Sequence, residues 1–305
     1  MASLAAAPTI ITQSVPATVD ISNNKHIIPS IQTSFVIQNE SEQDWATYGA
    51  TDDFEYIVVA DSHGRDRNKQ FFIKLYNSLD WGQFLANDTW CEDIIKMTNN
   101  IDTAYVGSTL TVWKIFEDRF ECSWIGDSSA KIWGFDIDGN QVMDWKTKDH
   151  DYNNKEDYET MLIELEKFPN FTTNEAWDIE AKTPDTMLSV KAKLLKIGNE
   201  RINMTRALGH KGCYTPLGFD TVYVPREKDM TYRIVTATDG FWQVMSDEDM
   251  PFIANKTNFA LCLATKARQR WGQSWTHDNS LGGITQNIKI PKSNWDDVGV
   301  ATWSN

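Results

Sequence analysis

Apolar residues along this chain fall into short continuous or alternating runs broken by turn-forming residues, and in a few stretches their spacing lengthens to that of a helix. Ile31–Gln38, Phe54–Ala60, Thr109–Phe116, Phe120–Ile125 and Lys131–Ile137 are rich in Val, Ile, Phe and Trp and read as strands. The last three are separated only by Glu117-Asp118, Gly126-Asp127-Ser128 and similar turn residues, with Asp138-Gly139-Asn140 closing the set. Such spacing leaves no room for helices and predicts an antiparallel meander. Between Arg67 and Thr103 the period changes: Phe71, Phe72, Leu75 and Leu79, then Trp90, Ile94, Ile95 and Met97, predict a helical pair inserted between strands.

Tyr158, Met161, Leu162 and Leu165 make an apolar stripe over Lys155–Lys167, which predicts another helix. Pro169 to Asn203 has no clear period and is assigned to no element. Strands return at Thr221–Val224 and Tyr232–Ala237, and Ser246-Asp247-Glu248-Asp249 reads as a helix cap. A further helix spans Asn258–Arg270, and Gly283–Ile290 is the last strand predicted. This order is that of an α+β protein with helices packed on antiparallel sheets. Residues 1–30, made of Ala, Pro, Ser, Thr and Asn without periodicity, read as a poorly ordered leader, which leaves 31–305 as one domain.

Composition agrees with a large core: 305 residues are 41% hydrophobic, with 13 Trp and 14 Phe. The net charge of −14 argues against a general affinity for nucleic acid or for an anionic membrane surface. No apolar run approaches the roughly 18 residues of a membrane span. Cys91, Cys122, Cys213 and Cys262 are dispersed without a CxxC pair, so buried reduced thiols and an intracellular, cytoplasmic location are expected.

The candidate chemistry sits where strands end. Tyr56–Ala60 runs into Asp61-Ser62-His63-Gly64, Tyr232–Ala237 runs towards Asp239-Gly240, and Asp278 stands in His277-Asp278-Asn279 ahead of a Gly-Gly turn. Strand-end aspartates also serve as turn formers or caps. Asp61 departs from that role because His63 follows two residues later, on the same side of an extended backbone, with the Ser62 carbonyl between them. Three separated carboxylates and a histidine suggest a metal-assisted hydrolase, and oxygen ligands suit Mg²⁺ or Mn²⁺ better than zinc.

In order along the chain, these residues match a known series of motifs. Asp61-Ser62-His63-Gly64 corresponds to Asp-Gly-His-Gly, Gly107-Ser108-Thr109 to Gly-Ser-Thr, and Gly126-Asp127-Ser128-Ser129 to Gly-Asp-Ser-Arg. Thr147-Lys148-Asp149-His150 matches Thr-x-Asp-His, and Thr205-Arg206-Ala207-Leu208-Gly209-His210 matches Ser-Arg-Ala-Leu-Gly-Asp. Thr238-Asp239-Gly240-Phe241-Trp242-Gln243 matches Ser-Asp-Gly-x-Trp-Asp, and Asp278-Asn279 the closing Asp-Asn. The chain therefore resembles the metal-dependent serine/threonine protein phosphatases of type 2C from about Gln38 to Ile290.

The resemblance implies a four-layer α-β-β-α sandwich of two antiparallel sheets flanked by helices, and a catalytic domain over 31–305 with a binuclear Mg²⁺ or Mn²⁺ site. Asp61 would bridge the ions, the Ser62 carbonyl would help to complete one, Asp239 and Asp278 the other, and Asp44 would act through water. His63 would be the general acid for hydrolysis of phosphoserine and phosphothreonine in protein substrates, and a monomer is expected. Several positions depart from the family. The phosphate-binding arginine is replaced by Asn39, which leaves Arg65 and Arg67 as local candidates, and the early glutamate is Gln43. Asp127 and Asp239 of a weak third metal site remain, while Gln243 replaces its third aspartate and His210 the Leu-Gly-Asp aspartate. Those losses keep open an alternative, a pseudophosphatase that binds phosphoproteins without turnover. Asp136-Ile137-Asp138-Gly139-Asn140 lacks the glutamate that would complete a calcium loop, and is expected to be a hairpin turn.

Overall fold

The computed structural model describes residues 30–38, 42–64, 70–99, 106–165, 171–197, 200–210, 218–250, 258–278 and 286–305. Along the chain run strands β1 (Ile31–Ile37), β2 (Asp44–Ala50) and β3 (Glu55–Gly64), then helices α1 (Phe71–Ser78), α2 (Trp81–Leu85) and α3 (Trp90–Asn99). A meander follows: β4 (Val106–Ser108), β5 (Leu110–Ile115), β6 (Arg119–Ile125), β7 (Ala130–Phe135) and β8 (Gln141–Lys146). Helix α4 (Lys155–Leu165) leads into β9 (Phe171–Thr183), β10 (Thr186–Ile197), β11 (Glu200–Ile202) and β12 (Leu208–Gly209). The rest comprises β13 (Asp220–Pro225), β14 (Thr231–Ala237), α5 (Asp239–Trp242), α6 (Phe259–Trp271), β15 (Ser274–Asp278), β16 (Gln286–Lys289) and β17 (Val298–Ser304).

Two sheets face each other. One has the order β1-β17-β14-β7-β8, and the other β12-β4-β3-β5-β6-β13 with β2 alongside β3. Alternation on β3 shows why both faces of a central strand must be apolar. Ile57 and Val59 join Trp113, Phe120, Trp124, Ile234 and Trp303 between the sheets, whereas Val58 and Ala60 point the other way, under Phe72, Tyr76, Leu85 and Ile94 of α1–α3. On the far side, α6 lays Leu263, Ala264, Ala267 and Trp271 over Val235, Val298 and Val300. The result is the expected four-layer sandwich: helices, sheet, sheet, helix.

The structure also corrects the expectation in several places. A third sheet, β11-β10-β15-β16 with β9 on β10, lies beyond the two predicted, and β10 pairs with β15 in parallel through Thr186–Leu188. The unassigned stretch after Pro169 is a long hairpin, β9 against β10. The predicted helical pair is three helices, the middle one started by Asp80, whose side chain accepts the Gln83 N–H. Strands β2, β8 and β17 were not predicted, and Asp136 closes the β7–β8 connection by accepting N–H bonds from Asp138 and Asn140, as a hairpin turn does. At Ser246 the described part is a short capped 3₁₀ turn, Asp247–Asp249; its continuation, the leader and Cys213 lie outside the described residues. Cys91, Cys122 and Cys262 are free thiols, and among the described residues no helix is long and apolar enough to cross a membrane.

Candidate functional site

The site is built where β2, β3, α5 and the start of β17 meet at one edge of the sandwich. Antiparallel pairing puts Asp44 directly opposite Asp61. Asp61 is pinned through its backbone, since its N–H donates to Thr109 Oγ1 at 2.9 Å and its carbonyl accepts the Thr109 N–H at 2.9 Å. Thr109 in turn shares a 2.6 Å hydrogen bond with Ser128, which fixes the Gly126-Asp127-Ser128 turn beside it. Thr238, just before α5, donates its hydroxyl to Asp44 Oδ2 at 2.7 Å and accepts the Gly299 N–H at 3.0 Å. The Gln43 N–H donates to Asp297 at 2.7 Å while its carbonyl accepts the Ser62 N–H at 3.0 Å. Gly240 packs so closely on the Asp297 carbonyl that a Cβ there would overlap it, so the start of α5 and the Asp296-Asp297 pair are held together.

These constraints gather negative charge in a buried place. Burial first, and then the charges of Asp44, Asp239, Asp296 and Asp127, push the Asp61 carboxyl well above the ordinary carboxylate range. Asp44 is raised by burial, then by Asp297 and Asp296, against the hydrogen bonds from Thr238 and Asp61. Asp127 is pushed up to about 7, by burial and then by Asp149. Every charge acting in these three cases is negative, so a bound cation is the natural counter-charge, and the all-oxygen donor set fits Mg²⁺ or Mn²⁺. Among the described residues no three His, Cys, Asp or Glu side chains are drawn together tightly enough to hold one ion as they are placed.

The histidine adjoins this cluster. His63 faces Gly107 across the β3–β4 pair and stacks on His210 with ring centroids 4.6 Å apart and planes at 25°. Neither ring nitrogen of His63 reaches hydrogen-bond geometry with a described residue. Burial pushes this imidazole down to about 4, opposed by the Asp61 backbone, and His210 is lowered by burial and then by His63.

Behind Asp127 lies a second polar network. His150, stacked on Trp124, accepts the Gly126 N–H at Nδ1 (3.1 Å) and therefore donates from Nε2 to Asp220 (3.1 Å). Arg206 bridges Asp220 and Asp157.

Of the predicted site residues, the structure brings Asp61, Asp44, Asp127 and Asp239 together, with Ser62 and His63 on the same strand. It does not bring Asp278 to them. That residue ends β15 in the third sheet, where its half-exposed carboxylate pairs with Lys182 at 3.2 Å. The carboxylate present in the cluster is Asp296, which sequence matching missed. A signal existed: Trp295-Asp296-Asp297 leads into the apolar run Val298–Trp303, an aspartate at the start of a strand where Asp61 and Asp239 stand at the ends of theirs. Arg65, Arg67, Asn39 and Asn279 lie outside the described residues.

No family model matches this sequence, and no curated protein does. Solved structures do. The serine-threonine phosphatase 2C of Toxoplasma gondii superposes with a TM-score of 0.55 at 16% identity, covering 95% of this chain and 99% of that one. The S. agalactiae serine/threonine phosphatase gives 0.55 at 16% identity over 90% and 98%. A C. elegans sex determining protein gives 0.52 at 14% identity over 93% of this chain and 66% of that one, so the chain spans just under two thirds of its length. The chain thus has the fold of the type 2C serine/threonine phosphatases.

Proposed function

We propose that this chain is a metal-dependent protein phosphatase acting on phosphoserine and phosphothreonine. The observation that supports it is the convergence, on a type 2C fold, of Asp44, Asp61, Asp127 and Asp239 from separate motifs into one buried, mutually repelling cluster. Asp61, Asp239 and the Ser62 carbonyl would hold two Mg²⁺ or Mn²⁺ ions, with Asp296 in place of Asp278, Asp44 acting through water and Asp127 serving a weaker third ion. When bound, such ions supply an activated water and neutralise phosphate charge.

The chain's own residues then orient and move protons. Thr238 and Thr109 fix the carboxylates, and His63 donates the proton that the departing serine or threonine oxygen requires. Burial lowers this imidazole to about 4, which disfavours its protonated form, and the negative charge of a bound phosphate would act in the opposite direction. The test is phosphate release from a phosphothreonine peptide with Mn²⁺ present. Activity that disappears in Asp61→Asn supports the reading, and a folded chain inactive at every divalent concentration sinks it.

Asn39, Gln43, Gln243 and His210, at positions where the family carries an arginine or acidic residues, favour a second reading, a pseudophosphatase that binds phosphoproteins without turnover. Phosphopeptide affinity unchanged in Asp239→Asn, with no metal bound to either protein, would select it.

A further inference from the structure

His210 replaces a family aspartate and sits in an unusual local geometry. Gly209 and His210 have φ of +80° and +50°, so two successive left-handed residues turn the chain at the end of β12, and a Cβ at Gly209 would run into the Val106 carbonyl. The turn is anchored by the His210 N–H donating to Val106 at 2.8 Å. It folds the His210 ring back over β4, onto Gly107, which pairs with His63 on one side and Gly209 on the other. Both imidazole Nε2 atoms converge on the position where a Cβ of Gly107 would stand: that Cβ would run into the His210 ring and lie 2.6 Å from His63 Nε2. The stack exists only because residue 107 has no side chain.

We infer that His210 is the positioning residue of His63. A general-acid imidazole is commonly oriented by a hydrogen bond from its second nitrogen, but among the described residues His63 has no side-chain partner, and its interaction with the Asp61 backbone falls short of hydrogen-bond geometry. Its ring plane is set by the stack on His210, and Gly107 sets the side towards which Nε2 points. The inference rests on the phosphatase reading for its catalytic consequence, though not for its structural one.

His210→Asn removes the ring while tolerating the left-handed backbone, Gly107→Ala forces the rings apart, and His210→Phe keeps a ring without nitrogens. Two measurements apply to each variant, after thermal melting has shown that it folds. The first is hydrolysis of a phosphothreonine peptide, whose alkoxide needs a proton, against an aryl phosphate, whose leaving group does not. The second is the long-range ¹H–¹⁵N spectrum of the five histidines, with His63 assigned by His63→Gln.

His210→Asn and Gly107→Ala are expected to lose about tenfold or more on the peptide, with much less change on the aryl ester. Both should shift or broaden the His63 ring resonance, and His210→Phe should restore much of each property. An unchanged His63 resonance in folded His210→Asn or Gly107→Ala overturns the inference, as does an equal loss on both esters. Should the wild-type chain hydrolyse neither ester, the phosphatase reading fails and the spectra alone decide the role of His210.

Discussion

At the scale of single residues, the site is a place where the fold tolerates repulsion. Asp44 is almost fully buried and held by the Thr238 hydroxyl, yet Asp297 and Asp296 both act to expel its charge. A structure optimised only for stability would place a neutral side chain here. Asp44→Asn keeps an oxygen to accept the Thr238 bond and removes one of the repelling charges. The metal-free variant, held in chelator, should therefore melt higher than the wild type by on the order of 2–4 °C, about 1 kcal/mol for a chain of this size. An equal or lower melting temperature would show that the repulsion is already relieved in the metal-free protein. The same scale shows where residue matching fails. Aspartate beside a strand end is a common turn residue, so Asp278 satisfied the expected dipeptide while Asp296 was overlooked. What separates them is burial and the company of other carboxylates, which only the folded chain displays.

At the scale of elements, legibility followed burial. β3, β5 and β14 are apolar on both faces, and their Val- and Ile-rich runs announce them. β8 is an edge strand with Gln141, Val142 and Asp144 turned to solvent, and β2 has no Val or Ile and interrupts Trp45, Thr47 and Tyr48 with Ala and Gly, so neither carries a continuous apolar run. The β9–β10 hairpin mixes charged and apolar residues, and its base joins the core through Ile179, Ala181 and Met187. Helix α4 shows how a marginal element is secured. Its Asp157 is clamped by Arg206, which also grips Asp220 on β13, and Asp220 in turn accepts from His150 behind the Gly126-Asp127 turn. Those bonds, from His150 first and then Arg206, hold the Asp220 carboxyl down to about 2. A carboxyl depressed in the folded state contributes stability that is complete above its ordinary pKa near 4 and lost as the pH falls towards 2. The wild type should therefore exceed Asp220→Asn in urea stability at about pH 5, by no more than about 1 kcal/mol for so exposed a group, and the gap should shrink to less than half by about pH 2.5. A gap that persists at low pH would assign the effect to packing.

At the scale of the whole molecule, the site and the fold are completed by the same segment. β17 pairs with β1 on one side and β14 on the other, so the last described strand is inserted beside the first, and Trp303 reaches across the interior to Phe120 and Glu55. Asp296 and Asp297 immediately precede that strand, and Gly240 lets α5 close against them. Ion binding at this edge should therefore draw on the stability of the entire sandwich, because a ligand held only by the folded state adds RT ln(1 + [L]/Kd), about 2.7 kcal/mol at a hundredfold excess over Kd. The two aspartates that compete for one role can be separated on this basis without any assay of activity. In urea unfolding followed with Mn²⁺ and with chelator, the wild type should gain stability from the ion, and Asp278→Asn should gain as much, since its carboxylate is occupied with Lys182 at the end of a different sheet. Asp296→Asn should lose most of that gain while remaining folded in chelator. The reverse pattern, with Asp278→Asn insensitive to Mn²⁺ and Asp296→Asn responding fully, would return the ligand role to Asp278 and require the third sheet to move towards the cluster on binding.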